Sequence, residues 1–365
     1  MRPVKVILLF VWFIYIIISG CQELYDGDNI QSSQKIPVFQ GAITDDPGPY
    51  TVTIYWATAY NASLPAPIGN ARVYILDNFG NIELLKQTSI GTYVTAANGI
   101  RGITGRKYTL RVLLSDKSLY ESVPTMLYPK TNIDSIYSEI GYTDIVNTEQ
   151  DGSIVTEHID GLNVFVDVIT DKNNTDYFKF DCLYFTQNTH SLIPKGPSNG
   201  PPPIIYCRNL SISSDISQVE STIADGDKQI IKKKSLAFLP YYVDLSGTST
   251  TTPVLNVGWL VSATLSSISS EAYKYYFSIS EQLNASARMF DPIPSQIKGN
   301  MHCVTDSTRV ALGLFEVTSQ TTRNIAFSWA PGMTKINRVN VNEIGPLNDS
   351  CDTNFTPSYW IDFAK

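Results

Sequence analysis

Apolar and polar residues alternate at period two through much of the chain. "RVYILD" sets Val73 and Ile75 on one side, and "KYTLRVLLSD" does the same with Tyr108, Leu110, Val112 and Leu114. Successive side chains of a strand point to opposite faces, so this alternation predicts half-buried strands. "VFQGAIT", "YTVTIYW", "GTYVT" and "LYESVPTML" read the same way. Asp45-Asp46-Pro47-Gly48-Pro49 separates the first two, Asn78 to Asn81 supplies a tight turn, and Gly99, Gly102 and Gly105 punctuate a later connection. Strands recurring every 8–12 residues or so, with turns between, predict a β-sandwich of immunoglobulin or transthyretin type, placed at residues 36–130.

Residues 131–365 read as a second β-rich domain. "GLNVFVDVIT" and "DYFKFDCLYFTQ" alternate, the latter with Phe178, Phe180, Cys182 and Tyr184 on one side, and "ALGLFEVTS" and "RNIAFSW" read as strands. "IPKGPSNGPPP" at 193–203 is excluded from a central strand, because proline removes ladder donors, and reads as a long exposed loop. The period changes over residues 269–287, where Ala272, Tyr275, Tyr276, Ile279 and Leu283 follow helical spacing. Ser269 or Ser270 caps that helix, and Glu271 suits the positive end of its dipole. Tyr359 and Trp360 are expected to pin the last segment by packing. The fold class is therefore mainly β: a sandwich, then a β-rich domain with one prominent helix.

Neither period describes the amino terminus. Arg2 and Lys5 precede an uncharged apolar run of 13 residues, Val6 to Ile18, followed by Ser19, Gly20 and Cys21. The run is shorter than the roughly 20 residues a membrane helix needs, and its plan is that of a secretory signal over residues 1–20. Ile18-Ser19-Gly20-Cys21 also resembles the bacterial lipobox, which implies that Cys21 becomes the first mature residue and carries fatty acyl chains such as palmitate. Several acyl chains give lasting anchorage where one gives marginal binding. Residues 21–35 have few large apolar side chains and read as a lipidated flexible tether. Its Glu23, Asp26 and Asp28 resemble the acidic signal that sends such lipoproteins to the outer face of the outer membrane, and equally suit a solvated linker.

The formal charge is −7, from 27 basic and 34 acidic residues, and no basic aromatic stripe is present, so nucleic acid is a poor candidate partner. "KKK" at 232–234 reads as a solvated loop. Of 5 cysteines, four lie beyond Cys21: Cys182, Cys207, Cys303 and Cys351. An even number in an exported chain suggests two disulfides, with three connectivities open. The 3 histidines, His158, His190 and His302, fall in no hydrolytic motif, and GxSxG is absent. No HExxH, EF-hand loop or zinc spacing occurs; "TDDPG" and "ADGDK" gather oxygen ligands but read as turns. The sequence thus nominates no catalytic residue, cofactor or metal ligand. Binding by shape remains, with loops 44–50, 61–69 and 193–203 as its carriers.

"GAITDDPGPYTVTI", "NARVYILDNFGN", "GTYVT" and "IDSIYSE" resemble the first half of a family of uncharacterised lipoproteins from Bacteroidota that carry a domain of unknown function. "DYFKFDCLYF", "SSEAYKYYFSISEQL", "MFDPIPSQIKGNMHCV" and "ALGLFEVTS" resemble its second half, "PSQIKGN" with the helix before it being the most specific stretch. Cys207, Cys303 and Cys351 fall at cysteine positions of that family, whose end often carries a paired cysteine cluster where this chain has Cys351 alone. Its members are often encoded beside TonB-dependent receptors. The resemblance implies a non-enzymatic outer-membrane lipoprotein facing the cell exterior, a binding or accessory partner of such a barrel in nutrient uptake, its ligand unknown. A structural or assembly component with no small ligand is the other expectation.

Overall fold

The computed structural model describes residues 35–58, 64–148, 153–172, 174–191, 204–212, 218–243, 254–284, 296–329, 333–341 and 350–352. Strands are numbered along the chain, and the described helix is α1 (Ser270–Asn284). The frame is one long sheet in the order β22 (Ser350–Asp352), β13 (Ile204–Ile212), β12 (Tyr177–Ser191), β18 (Val254–Ile268), β20 (Leu312–Ser328), β1 (Pro37–Thr44), β2 (Thr51–Trp56), β6 (Thr92–Val94) and β5 (Lys86–Ser89). Two smaller sheets pack on it.

The first cover is β19 (Met301–Cys303), β8 (Leu119–Ser122), β7 (Lys107–Leu113), β3 (Arg72–Asp77) and β4 (Ile82–Leu84). Its Val73, Ile75, Tyr108, Leu110 and Val112 meet Phe39, Val52 and Ile54 in one core. The period-two residues of the sequence are thus the buried ones, each fully buried Ile or Phe contributing roughly 1.5–3 kcal/mol. The second cover is β10 (Ile133–Thr148), β11 (Ile154–Asp171), β16 (Lys228–Pro240) and β15 (Ile223–Asp225). Its Ile136, Leu162, Val164 and Val166 meet Phe178, Phe180, Trp259 and Phe327 in a separate core.

Strand β20 serves both. Leu312 to Thr318 run parallel to Val38 to Thr44, and Ser319 to Phe327 pair antiparallel with β18. Residues 301–317 therefore return to the first core through Met301, Cys303, Phe315 and Val317, across the sequence boundary at 130. Residues 36–365 form one compact unit. Gly313 lies at φ +94°, and a β-carbon there would collide with the Phe39 carbonyl, so the parallel pairing needs glycine. The "PSQIKGN" stretch ends beside it: Asn300 donates to the Phe315 carbonyl at 2.8 Å and accepts from its N–H at 2.9 Å, replacing a missing strand neighbour.

α1 packs on the opposite face of the long sheet. Ser269 caps it, its hydroxyl accepting from the Ala272 N–H at 3.2 Å. Ala272, Tyr275 and Tyr276 pack against Ile268 and Leu314, whereas Leu283 is 60 % exposed and leaves the expected stripe. Residues 285–287 of the expected helix lie outside the described part. The lysine run is strand, not loop: Lys232 to Lys234 lie in β16, where Lys232 and Lys233 form a bulge opposite Asp167. Asp167 accepts from the Lys233 N–H at 2.7 Å, and the three lysines pair with Asp167, Glu139 and Glu220. Burial raises the Asp167 carboxyl, but these bonds and charges outweigh it and hold it low.

Candidate functional site

Of the three loops, residues 44–50 are a clamp. Asp45 accepts from the Gln320 N–H at 3.1 Å and pairs with Lys130 at 3.0 Å, and Arg101 donates to its carbonyl at 2.7 Å. The Tyr50 hydroxyl donates to the Thr44 and Asp46 carbonyls. The acidic turn that could have gathered a cation instead ties β1, the linker after the sandwich and β20 together. Residues 64–69 lie along β2, with the Trp56 N–H donating to Ala66 and the Ile68 N–H to Ile54. "ADGDK" is the β15–β16 hairpin turn, with Gly226 at φ +57°. Residues 193–203, 359 and 360, Cys21, the signal and the tether through residue 34 lie outside the described residues.

Cys182 and Cys303 are free, buried in the second and first core respectively, and so do not pair with each other. Burial pushes the Cys182 thiol up to about 12, far from a reactive thiolate. Cys207 and Cys351 are neighbours in the strand ladder. The histidines are dispersed: His302 is on β19 opposite Glu121, His190 is on β12 opposite Ile205, and His158 is on β11.

Two of the clefts on the described surface are well formed. One, of about 500 Å³, is lined by Lys130, Thr131, Thr170, Asp171, Asn174 and Lys228. The other, of about 540 Å³, is lined by Asp77, Ile82, Glu83, Gly99, Arg101 and Arg106. Charge is spent within each: Lys228 pairs with Asp171, Lys172 with Asp227, and Arg106 with Asp77. Bonds from Asn81, Arg106 and the Phe79 N–H overcome the upward effect of burial and bring the Asp77 carboxyl down to about 2. Glu83 accepts from the Ala96 and Ile100 N–H groups, and a β-carbon at Gly99 would strike it. These carboxylates therefore hold loops.

The strongest buried polar cluster lies under α1. Lys179 donates to both Glu316 oxygens at 3.0 and 3.1 Å, Tyr276 donates to one of them at 2.5 Å, and the Lys179 ammonium sits 4.9 Å from the Tyr276 ring centre. Burial pulls the lysine pKa down, but the Glu316 and Asp181 charges outweigh it and keep it raised. Burial, with Glu316 beside it, raises the Tyr276 phenol. The cluster is enclosed between helix and sheet and latches one to the other.

An open surface of a different kind is the β10–β11 hairpin. The register of β16 on β11 ends at Gly161 opposite Pro240, while β10 and β11 continue together to Thr148 opposite Ile154. Directly opposite residues, and every second residue along a strand, share a face. The face that buries Ile136 and Leu162 at the base therefore continues outward as Ile140, Tyr142, Val146 and Ile154, which are 51, 61, 63 and 72 % exposed. Asp144, His158 and Asp160 share it; His158 Nδ1 is 2.9 Å from Asp144, and its ring lies 4.2 Å from that of Tyr142. From Glu139 to Asp160 the sequence holds six acidic residues and no lysine or arginine. An apolar stripe bordered by acid, with no lysine or arginine of its own, marks a contact surface.

Sequence reasoning named none of this arm as functional. A signal was present: residues 139–160 carry six acidic residues and no lysine or arginine, and they lie between two strands, Ile133–Thr148 and Ile154–Asp171, far longer than the ordinary length of about five or six residues.

Among the described residues no helix is long and apolar enough to cross a membrane. No curated protein and no solved structure matches the chain. The family model described as "Domain of unknown function (DUF4249)" matches residues 24–324, most of the chain, and the protein belongs to that family.

Proposed function

We propose that this protein is a non-enzymatic outer-membrane lipoprotein of a Bacteroidota cell, anchored through Cys21 and facing the exterior, that acts as a binding or accessory partner of a TonB-dependent receptor in nutrient uptake. The observation that carries the binding role is the acidic, apolar-faced β10–β11 arm, which outruns its sheet. Its charge favours a protein surface with a basic rim and an apolar centre, because complementary charge steers encounter and fixes register. The anionic surface of a membrane would repel it. The Ile18-Ser19-Gly20-Cys21 stretch supports the anchor, and the acidic tether suits an outward face.

The continuity of the long sheet through both cores favours a second reading, a rigid assembly component without a small ligand. Crosslinking of intact cells, detergent extraction and mass spectrometry of what accompanies the protein separate the two. A barrel receptor linked through residues 140–160 supports the uptake reading. Recovery with assembly machinery alone sinks it and favours the second. Labelling with a radioactive fatty acid tests the anchor: the label is expected on the natural chain and absent from Cys21→Ser.

A further inference from the structure

We infer that Cys207 and Cys351 are joined by a disulfide that staples the last described strand to the edge of the long sheet, while Cys182 and Cys303 stay reduced. The observation is the backbone register. β22 pairs antiparallel with β13, and within it Tyr206, Cys207 and Arg208 stand opposite Asp352, Cys351 and Ser350. Directly opposite residues of an antiparallel pair have Cα atoms roughly 4.5 or 5.5 Å apart, depending on whether the pair is hydrogen-bonded. Both values lie inside the span of about 4.4–6.8 Å that a disulfide bridges.

The other two cysteines sharpen the assignment. Cys182 and Cys303 lie in separate cores, and each is a free thiol. Of the three ways to form two bridges from four cysteines, the one containing Cys207–Cys351 would also require Cys182–Cys303, and the separate cores forbid that second bridge. The chain therefore holds one disulfide and two buried thiols, not two disulfides.

Position gives the bridge its purpose. β22 is three residues long and occupies the outer edge of the long sheet. A strand so short gains little from its ladder alone, and a bare edge invites pairing with other chains. The loop closed between Cys207 and Cys351 is long, the case in which a cross-link removes most freedom from the unfolded chain.

The inference rests on export to an oxidising compartment, part of the function proposed above. The two thiols lose two protons and two electrons as the S–S bond forms, and a disulfide-donor oxidoreductase of that compartment takes them, its own disulfide becoming a dithiol.

The test is thiol trapping on the full lipidated chain. Cells are quenched in acid, free thiols are blocked with an alkylating maleimide under denaturing conditions, and the digest is mapped without reduction. One cross-linked peptide pair carrying Cys207 and Cys351 is expected, with Cys182 and Cys303 alkylated. Cys207→Ser and Cys351→Ser should each expose one additional alkylated thiol, at the other member of the pair. A lipidated chain with both of these cysteines alkylated, or with either bridged elsewhere, overturns the inference and leaves export standing. Chain without lipid and with all thiols reduced counts against export, and the purified protein is then treated with oxidised glutathione. Formation of Cys207–Cys351 there upholds the register inference, and any other pairing, or none, overturns it.

Discussion

The two halves of the long sheet are covered to different extents. Over β1, β2 and β6 the first cover closes a complete core, and its flanking carboxylates, Asp45, Asp77 and Glu83, are each consumed in holding a turn or loop. Over β12, β18 and β20 the second cover buries only its base, and the same face then continues into solvent as Tyr142, Val146 and Ile154. One alternating pattern can thus make core at one end of a strand and contact surface at the other, and the partner strand's length decides which.

The sharpest break of that comparison is on the covered side. Glu316→Ala leaves the Lys179 ammonium buried without its carboxylate, and a loss of about 3–5 kcal/mol is expected by chemical denaturation. Replacing both partners, Lys179→Met with Glu316→Leu, should recover part of it, because the desolvation of two charges goes with the pair while the Tyr276 hydroxyl loses its acceptor. Asn300→Ala comes next. It strands the N–H and carbonyl of Phe315 in a buried site, and the denaturant midpoint should fall by the equivalent of about 2–3 kcal/mol with an unchanged slope.

Acid probes the turns of the complete half. The folded carboxyl of Asp77, at about 2, lies below its unfolded value, so its contribution is fully present above that unfolded value and is lost as pH falls from about 5 toward 2. A decline on the order of 1 kcal/mol is expected in pH-dependent melting, and Asp77→Asn should remove that part of the slope. The smallest stability effect belongs to the arm. Tyr142→Ser, Val146→Ser and Ile154→Ser should each leave stability within about 0.5 kcal/mol, and combined they should abolish the crosslink to the partner. A melting shift as large as that of Asn300→Ala would show that the arm is core after all.

Local chemistry was legible in the sequence. Val73, Ile75, Tyr108 and Leu110 are buried as their alternation requires, Ser269 caps the helix, and Asn78 to Asn81 turn with Gly80 at φ +89°. What was not legible is long-range pairing. Nothing in residues 37–44 announces a parallel partner at 312–318, because a strand's pattern fixes its face and leaves its neighbour open. For the same reason nothing in the sequence brings Lys179 and Glu316, 137 positions apart, together. The lysine run misled because three adjacent cations suit a solvated loop, and only the bulge opposite Asp167 makes them compatible with a strand. The most specific stretch, "PSQIKGN", was legible as a pattern without its cause, the Asn300 side chain that bonds Phe315 in place of a strand.

The sharing of β20 by both cores also sets the order in which the protein can be built. Asp45 meets Gln320, a residue 275 positions later, so the first strand has no parallel neighbour until nearly the whole chain has been made. Contacts of such separation must bear the entropy of loop closure before they return anything, which slows folding. Completion waits for the last fifth of the sequence, and truncation before β20 would take residues from both cores at once, Phe315 and Val317 from the first and Ile325 and Phe327 from the second.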